Sequence, residues 1–266
     1  MKNLFLFLFL LVVFTSKAQD NRVSGLNSRQ FTKYWKVESE SPDYKVTFQG
    51  DTAEIVSPKG LTLWRKEKMS GKVTIEYDAC VVVESDGDRL SDLNCFWMAS
   101  DPQYPDNLWK REKWRSGIFL NCYSLQLYYL GYGGNHNSTT RFRRYDGDES
   151  GITNPKARPA ILKEYTDAGH LLKPNHWYHI KITNENNRVS YYIDGERLVD
   201  FRDAEPLREG WFGFRTTLSR TRITNFSYEC SSQEAAAVPL QWIGETPRQD
   251  KAVSFGVPFE IGRAHV

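Results

Sequence analysis

From residue 72 to 83 apolar and polar side chains alternate without a break. Val73, Ile75, Tyr77, Ala79, Val81 and Val83 fall on one face, and Lys72, Thr74, Glu76 and Asp78 on the other. This is the period of a half-buried strand. Residues 188–201 show the same period on both sides of Asp194-Gly195, a dipeptide that closes tight hairpin turns. Residues 177–183, 211–216 and 223–229 and the aromatic stretch 124–130 predict further strands, and Asn184-Glu185-Asn186-Asn187 predicts a turn. No long segment repeats at helical spacing. Many short strands separated by turn signals predict an all-β antiparallel sandwich or jelly roll, expected over residues 24–230.

The two ends break this pattern. Residues 4–14 are eleven uninterrupted apolar residues behind Lys2, and Ser16-Lys17-Ala18 sets small residues at the −3 and −1 positions of a signal-peptidase cut. Such a run falls short of the about 20 residues that cross a bilayer as a helix. Residues 1–18 are therefore expected to be a signal peptide, with no membrane span and export to the periplasm, the outer surface or the medium. Residues 231–237 hold no large apolar side chain and read as a linker. Residues 238–260 contain only strand beginnings, Val238-Pro239-Leu240-Gln241-Trp242-Ile243 and Val253-Ser254-Phe255-Gly256-Val257-Pro258, and read as the truncated start of a second domain. Residues 261–266 match the translation of a sequencing-adaptor string. They read as an artefact, so Arg263 and His265 are given no functional weight.

A net charge of +2 produces no strong field and argues against nucleic acid as a partner. The 8 Trp and 14 Tyr suit half-wet binding surfaces, and a sandwich core absorbs them equally well. Cys80, Cys95, Cys122 and Cys230 have no zinc-type spacing. Export permits disulfides, and the spacing leaves their existence and pairing open.

The densest chemistry lies in residues 131–145. Gly131, Gly133 and Gly134 permit sharp bends, Asn135, Asn137, Thr139 and Thr140 offer sugar-reading hydrogen bonds, and Arg141, Arg143 and Arg144 offer forks for a carboxylate. In an extended segment Arg141 and Arg143 share one face, and Phe142 and Arg144 the other. The competing reading is a polar loop whose arginines pair with Asp146, Asp148 and Glu149. Asp92, Asn94 and Trp97 form a second cluster, with Trp97 either a stacking platform or core. Arg115 and Arg215 either point into a cleft or neutralise buried carboxylates such as Asp92. His136 and Tyr145 are the weak catalytic candidates, since a β-eliminating lyase needs a base and a cation beside a uronate. Glu84, Asp86 and Asp88 crowd oxygen ligands around a turn, so structural calcium is open beside an ordinary acidic turn. His176 and His179 read as structural.

Two blocks carry a resemblance. Asn175-His176-Trp177-Tyr178, Tyr192-Ile193-Asp194-Gly195 and Gly210-Trp211-Phe212-Gly213-Phe214 resemble the closing strands of concanavalin A-like (laminin-G-like) sandwiches. Ser91-Asp92-Leu93-Asn94-Cys95-Phe96-Trp97-Met98-Ala99 and Gly131-Tyr132-Gly133-Gly134-Asn135 through Tyr145 look like an uncharacterised concanavalin-like domain family of Bacteroidetes-type secreted proteins. That family is similar in fold to the YesU protein encoded among rhamnogalacturonan-degrading enzymes. The resemblance spans about residues 31–230 and brings no catalytic residues with it. Residues 238–259 resemble the opening of the N-terminal barrel of exo-rhamnogalacturonan lyases of the YetA-like group. Together these imply an acidic plant-type polysaccharide as partner. The sandwich is then expected to be a non-catalytic binding module of a truncated pectin-degrading lyase. The alternatives are a sandwich that is itself a polysaccharide lyase or hydrolase, and a structural spacer. The Gln-x-His motif of jelly-roll alginate lyases and the paired-glutamate strand of laminarinase-like hydrolases are missing, and Tyr-x-Lys occurs only as Tyr34-Trp35-Lys36.

Overall fold

The alternating run that begins at Lys72 becomes an inner strand of a two-sheet sandwich. The computed structural model describes residues 22–231. Its strands are β1 (Val23–Ser24), β2 (Trp35–Ser39), β3 (Lys45–Gln49), β4 (Thr52–Ser57), β5 (Leu61–Arg65), β6 (Met69–Ser70), β7 (Lys72–Val81) and β8 (Leu93–Ser100). They continue as β9 (Gln126–Gly133), β10 (Thr139–Asp146), β11 (Lys163–Tyr165), β12 (Tyr178–Glu185), β13 (Arg188–Ile193), β14 (Glu196–Arg202), β15 (Glu209–Thr216) and β16 (Ser219–Ser231). One sheet runs β14-β13-β12-β7-β16-β4-β3, with β1 on β16. The other runs β11-β10-β9-β8-β15-β5-β2, with β6 on β15. The pairings are antiparallel, so each strand has one face toward the other sheet and one away from it.

Val73, Ile75, Tyr77, Ala79 and Val81 bury the inner face of β7 against Cys95, Trp97, Tyr128, Leu130, Phe142, Phe212 and Phe214 of the second sheet. The strand stops at Val81, two residues short of the alternation. There the Asn175 amide takes over its hydrogen bonds, accepting from Val83 N at 2.9 Å and donating to Val83 O at 2.7 Å. The hairpin of β13 and β14 turns at Asp194 (φ 51°) and Gly195 (φ 84°), the left-handed pair that its sequence requires. Residues 124–130 enter their strand later than expected, because Leu120–Ser124 is a turn of 3-10 helix and β9 starts at Gln126.

A second apolar cluster lies on the outer face of the second sheet. Trp64, Phe96, Leu127, Tyr129, Tyr145 and Trp211 are roofed by Leu108, Cys122, Tyr123 and Leu125. The roof belongs to the excursion between β8 and β9, with helical turns at Leu108–Arg111, Glu112–Arg115 and Leu120–Ser124. It covers only part of the sheet, and the site lies beside it.

All four cysteines are free thiols, three of them buried. Burial pushes the Cys95 thiol up to about 12 and the Cys122 thiol up to about 11, as expected of small apolar core residues. Among the described residues no helix is long and apolar enough to cross a membrane. Ser231, expected to open the linker, closes β16. The signal peptide, the rest of the linker, residues 238–260 and residues 261–266 lie outside the described residues.

Candidate functional site

The register of the second sheet aligns one row of outward-facing positions across six strands. Arg141 of β10 pairs with Gly131 of β9, and Gly131 with Asn94 of β8. Asn94 pairs with Arg215 of β15, Arg215 with Thr62 of β5, and Thr62 with Glu38 of β2. The β2 end of the row lies beneath the roof. The other part is open and forms a cavity of about 380 Å³. Asp92, Asn94, Asn135, His136, Arg141, Arg143 and Arg215 all line it. Sequence reasoning did not single out Glu40, Arg89, Phe119, Tyr123, Tyr129 and Thr217, which line it too.

Gly131 makes the floor. A Cβ there would overlap the Tyr129 hydroxyl, which occupies the vacated space. Burial, with the Asp92 charge in support, pushes the Tyr129 phenol well above its ordinary value, against the pull of Arg215 and Arg143. Burial likewise raises Tyr123. Both phenols therefore stay protonated at neutral pH and serve as hydrogen-bond donors rather than bases.

The four arginines of the cavity differ in how their charge is met. Arg89 pairs with Asp92 at 3.0 Å, and Arg141 with Glu164 at 2.5 Å. Arg143 donates to the carbonyl of Pro159, and Arg215 to the carbonyl of Gly117 at 2.5 Å and to Thr62 Oγ1 at 3.4 Å. Neither Arg143 nor Arg215 is in an ion pair among the described residues, although Arg215 is only 3% exposed. A buried guanidinium satisfied by neutral carbonyls keeps its attraction for an anion. Between them, Asn94 donates from Nδ2 to Asp92 at 3.2 Å, and its Oδ1 is buried and accepts no hydrogen bond among the described residues.

One wall of the cavity is a left-handed turn. Gly133 (φ 66°), Asn135 (φ 52°), His136 (φ 59°) and Asn137 (φ 58°) all have positive φ. The conformation costs roughly 1–2 kcal/mol per ordinary residue, less for asparagine. It is held by Asn137, whose side chain donates to Leu172 O at 2.9 Å and accepts from Leu172 N at 2.8 Å. A Cβ on Gly133 would overlap Leu172. Asn137 thus shapes the turn instead of lining the cavity.

Six other candidates fall elsewhere. Trp97 is fully buried between the sheets against Tyr128, Phe142 and Tyr191, because it lies three residues from Asn94 and so on the opposite face of β8. Arg115 is fully buried under the roof, bound to Glu38 at 3.0 and 3.3 Å and to Leu108 O at 2.7 Å. Tyr145 shares a face with Arg141 and Arg143, yet the roof covers it completely, so it is no acid or base for the cavity. Glu84 is taken by Arg220 and Arg222, and Asp88 accepts from Glu84 N, Ser85 N and Ser85 Oγ, while Asp86 is exposed. These acids close an ordinary turn. Among the described residues no group of His, Cys, Asp and Glu is arranged to hold a metal ion. Arg144 does pair with Asp146, but its second partner is Asp203 at 2.8 Å, while Glu149 goes to Arg111.

Several solved structures share this architecture. The chain is similar to a protein of unknown function with a galectin-like fold from Bacillus subtilis, at 15% identity and a TM-score of 0.62 over 80% of this chain and 96% of that one. It is similar to the Emp47p carbohydrate recognition domain, at 14% identity and a TM-score of 0.50 over 80% of this chain and 96% of that one. The exoplasmic/lumenal domain of VIP36, in its Ca2+/Man3GlcNAc-bound form, aligns at 8% identity and a TM-score of 0.52 over 82% of this chain and 92% of that one. These likenesses define the class, a galectin-like, concanavalin-like antiparallel β-sandwich. No curated protein sequence matches the chain. A family model described as a domain of unknown function, DUF6250, matches residues 55–226, which take in the open part of the row from Arg141 to Arg215. The chain belongs to the DUF6250 family.

Proposed function

We propose that the cavity on the outer face of the second sheet binds an acidic saccharide of the pectic, rhamnogalacturonan class. The observation that carries this reading is the pair Arg143 and Arg215, two guanidinium groups on one cavity that form no ion pair with a carboxylate of the described residues. The neutral hydrogen-bonders Asn94, Asn135 and Thr139 line the same space and suit sugar hydroxyls. Similar folds in a carbohydrate recognition domain and in a domain with bound Man3GlcNAc support a saccharide as the ligand. In this reading the sandwich works outside the cytoplasm as the saccharide-holding part of a pectin-degrading protein.

Calorimetric titration with rhamnogalacturonan oligosaccharides, beside the same oligosaccharides with their carboxylates reduced to alcohols, tests the reading. Binding is expected for the acidic form alone. Arg143→Met and Arg215→Met are each expected to cost about 1.5–3 kcal/mol, the worth of a hydrogen bond to a charged group. Equal binding of the reduced oligosaccharides overturns the acidic assignment. One observation favours a lyase as second reading, that His136 lines the same cavity. The ultraviolet absorbance of unsaturated uronate, followed in the same mixtures, reports that activity directly.

A further inference from the structure

The Tyr129 hydroxyl is a donor with nothing to bond. The residue is only 7% exposed and its ring packs on Phe96 and Phe119, with centroids 5.5 and 5.6 Å away. Its hydroxyl reaches along β9 into the space over Gly131, on the floor of the cavity, and makes no hydrogen bond among the described residues. An acceptor stands close by. Gly131 faces Asn94 across the strands, and Asn94 Nδ2 bonds Asp92 Oδ1 at 3.2 Å. Asp92 Oδ2 is taken by Ser91 Oγ at 2.8 Å and Arg89 at 3.0 Å, whereas Oδ1 has Asn94 alone and keeps room for a second donor. Of the charges around the Tyr129 hydroxyl that of Asp92 acts on it most, yet no hydrogen bond joins the two. A protonated phenol and an ionised carboxylate held near each other but apart ask for a group that accepts from the first and donates to the second. A ring or glycosidic oxygen, a carboxylate and an ester can only accept, whereas a hydroxyl does both.

We infer that Tyr129 and Asp92 together read one unsubstituted hydroxyl of the saccharide, so that the site selects against O-acetylated forms. This rests on the acidic-saccharide reading above. Acetylation removes the proton that Asp92 would accept and turns an ester carbonyl toward a carboxylate, while the sugar's own acid group, held by Arg143 and Arg215, is untouched. The test is calorimetric titration of the full chain with galacturonate oligosaccharides, unsubstituted and acetylated on their ring hydroxyls. The acetylated form is expected to bind at least about tenfold more weakly, and mild alkaline removal of the acetyl groups to restore binding. Tyr129→Phe keeps the packed ring and deletes only the hydroxyl. It is expected to keep the parental melting temperature and to bind the unsubstituted form about fivefold more weakly. Equal binding of the two forms by the parent, or parental affinity in Tyr129→Phe, overturns the hydroxyl reading and leaves the acidic-saccharide reading intact. Failure of both forms to bind overturns both.

Discussion

Arg115 offers the sharpest separation between a residue that builds the fold and one that meets a ligand. Arg115→Met removes the bonds to Glu38 at 3.0 and 3.3 Å and to Leu108 O at 2.7 Å. Asp101, 3.7 Å from Arg115, keeps its partner Arg111, whereas Glu38, only 5% exposed, loses its ion pair and keeps a backbone hydrogen bond from Gly117 and the more distant charge of Arg215. Stranding one buried partner costs about 3–5 kcal/mol. That is a large share of the roughly 5–15 kcal/mol that holds a domain folded. For a domain of this size it lowers the melting temperature by about 6–20 °C. Burial raises the Glu38 pKa above its ordinary 4.5 despite the opposing pull of Arg115, so the charged pair does not recover its own desolvation. The raised value fixes the pH dependence. The Glu38 contribution is complete below about pH 4.5 and is lost as pH rises through the folded value, so at neutral pH the charged carboxylate is a cost. Glu38→Leu combined with Arg115→Met is therefore expected to regain most of the stability lost by Arg115→Met alone. Urea unfolding followed by tryptophan fluorescence measures all three proteins. An Arg115→Met protein with the parental midpoint and weakened saccharide binding refutes the argument and returns Arg115 to the site.

Three further outcomes are expected. Tyr145→Phe deletes a fully buried hydroxyl that makes no hydrogen bond to protein, and should stabilise the domain by about 1 kcal/mol in thermal unfolding; a loss would mean the hydroxyl has a partner. Asn137→Ala removes two hydrogen bonds to Leu172 and leaves alanine at φ 58°, for a loss of about 2–4 kcal/mol, while Asn137→Gly should be milder by about 1 kcal/mol because glycine accepts that φ; equal midpoints for the two would contradict the strain. His170 is opposed by burial, yet its hydrogen bonds to Asp167 and Glu196 prevail and raise its pKa above the ordinary histidine value. Its contribution is thus full below about pH 6.5 and lost as pH rises through the raised value. His170→Gln should flatten that slope in melting curves, and an unchanged slope would rule the ion pairs out.

Strand parity explains what the chain's linear order revealed and what it hid. Arg141 and Arg143, like Asp92 and Asn94, were legible as pairs because residues two apart share a face. Parity does not say which face looks inward, but it does separate Asn94 from Trp97, and that signal was there to be used. Tyr145 obeys parity with the arginines, and only the roof, whose nearest residue in sequence is Leu125, decides that it is buried. Arg115 sits on a four-residue helical turn, where no strand period applies. Tyr129 was within reach, two residues from Gly131 on the face opposite the buried Tyr128 and Leu130. Glu40, Arg89 and Thr217 come from connections, whose positions depend on the closed fold.

The roof leaves the second sheet at Ser100 and rejoins it at Gln126, and these two residues are direct cross-strand partners. Its ends are therefore pinned side by side by the frame, whatever happens between them. Doubling the length of such a segment costs only about 0.6 kcal/mol in closure entropy. Phe119 and Tyr123, which wall the cavity, ride on this segment, whereas Asn94, Gly131 and Arg215 belong to the sheet. The roof thus supplies part of the cavity's wall from a stretch of chain separate from the sheet, while it also carries Arg115, whose pair with Glu38 is part of the fold. Grafting a different roof between residues 100 and 126, with apolar side chains kept over Phe96 and Trp211, Arg115 kept against Glu38 and a carbonyl kept against Arg215, gives an engineer a route to new ligands on an unaltered arginine-bearing sheet.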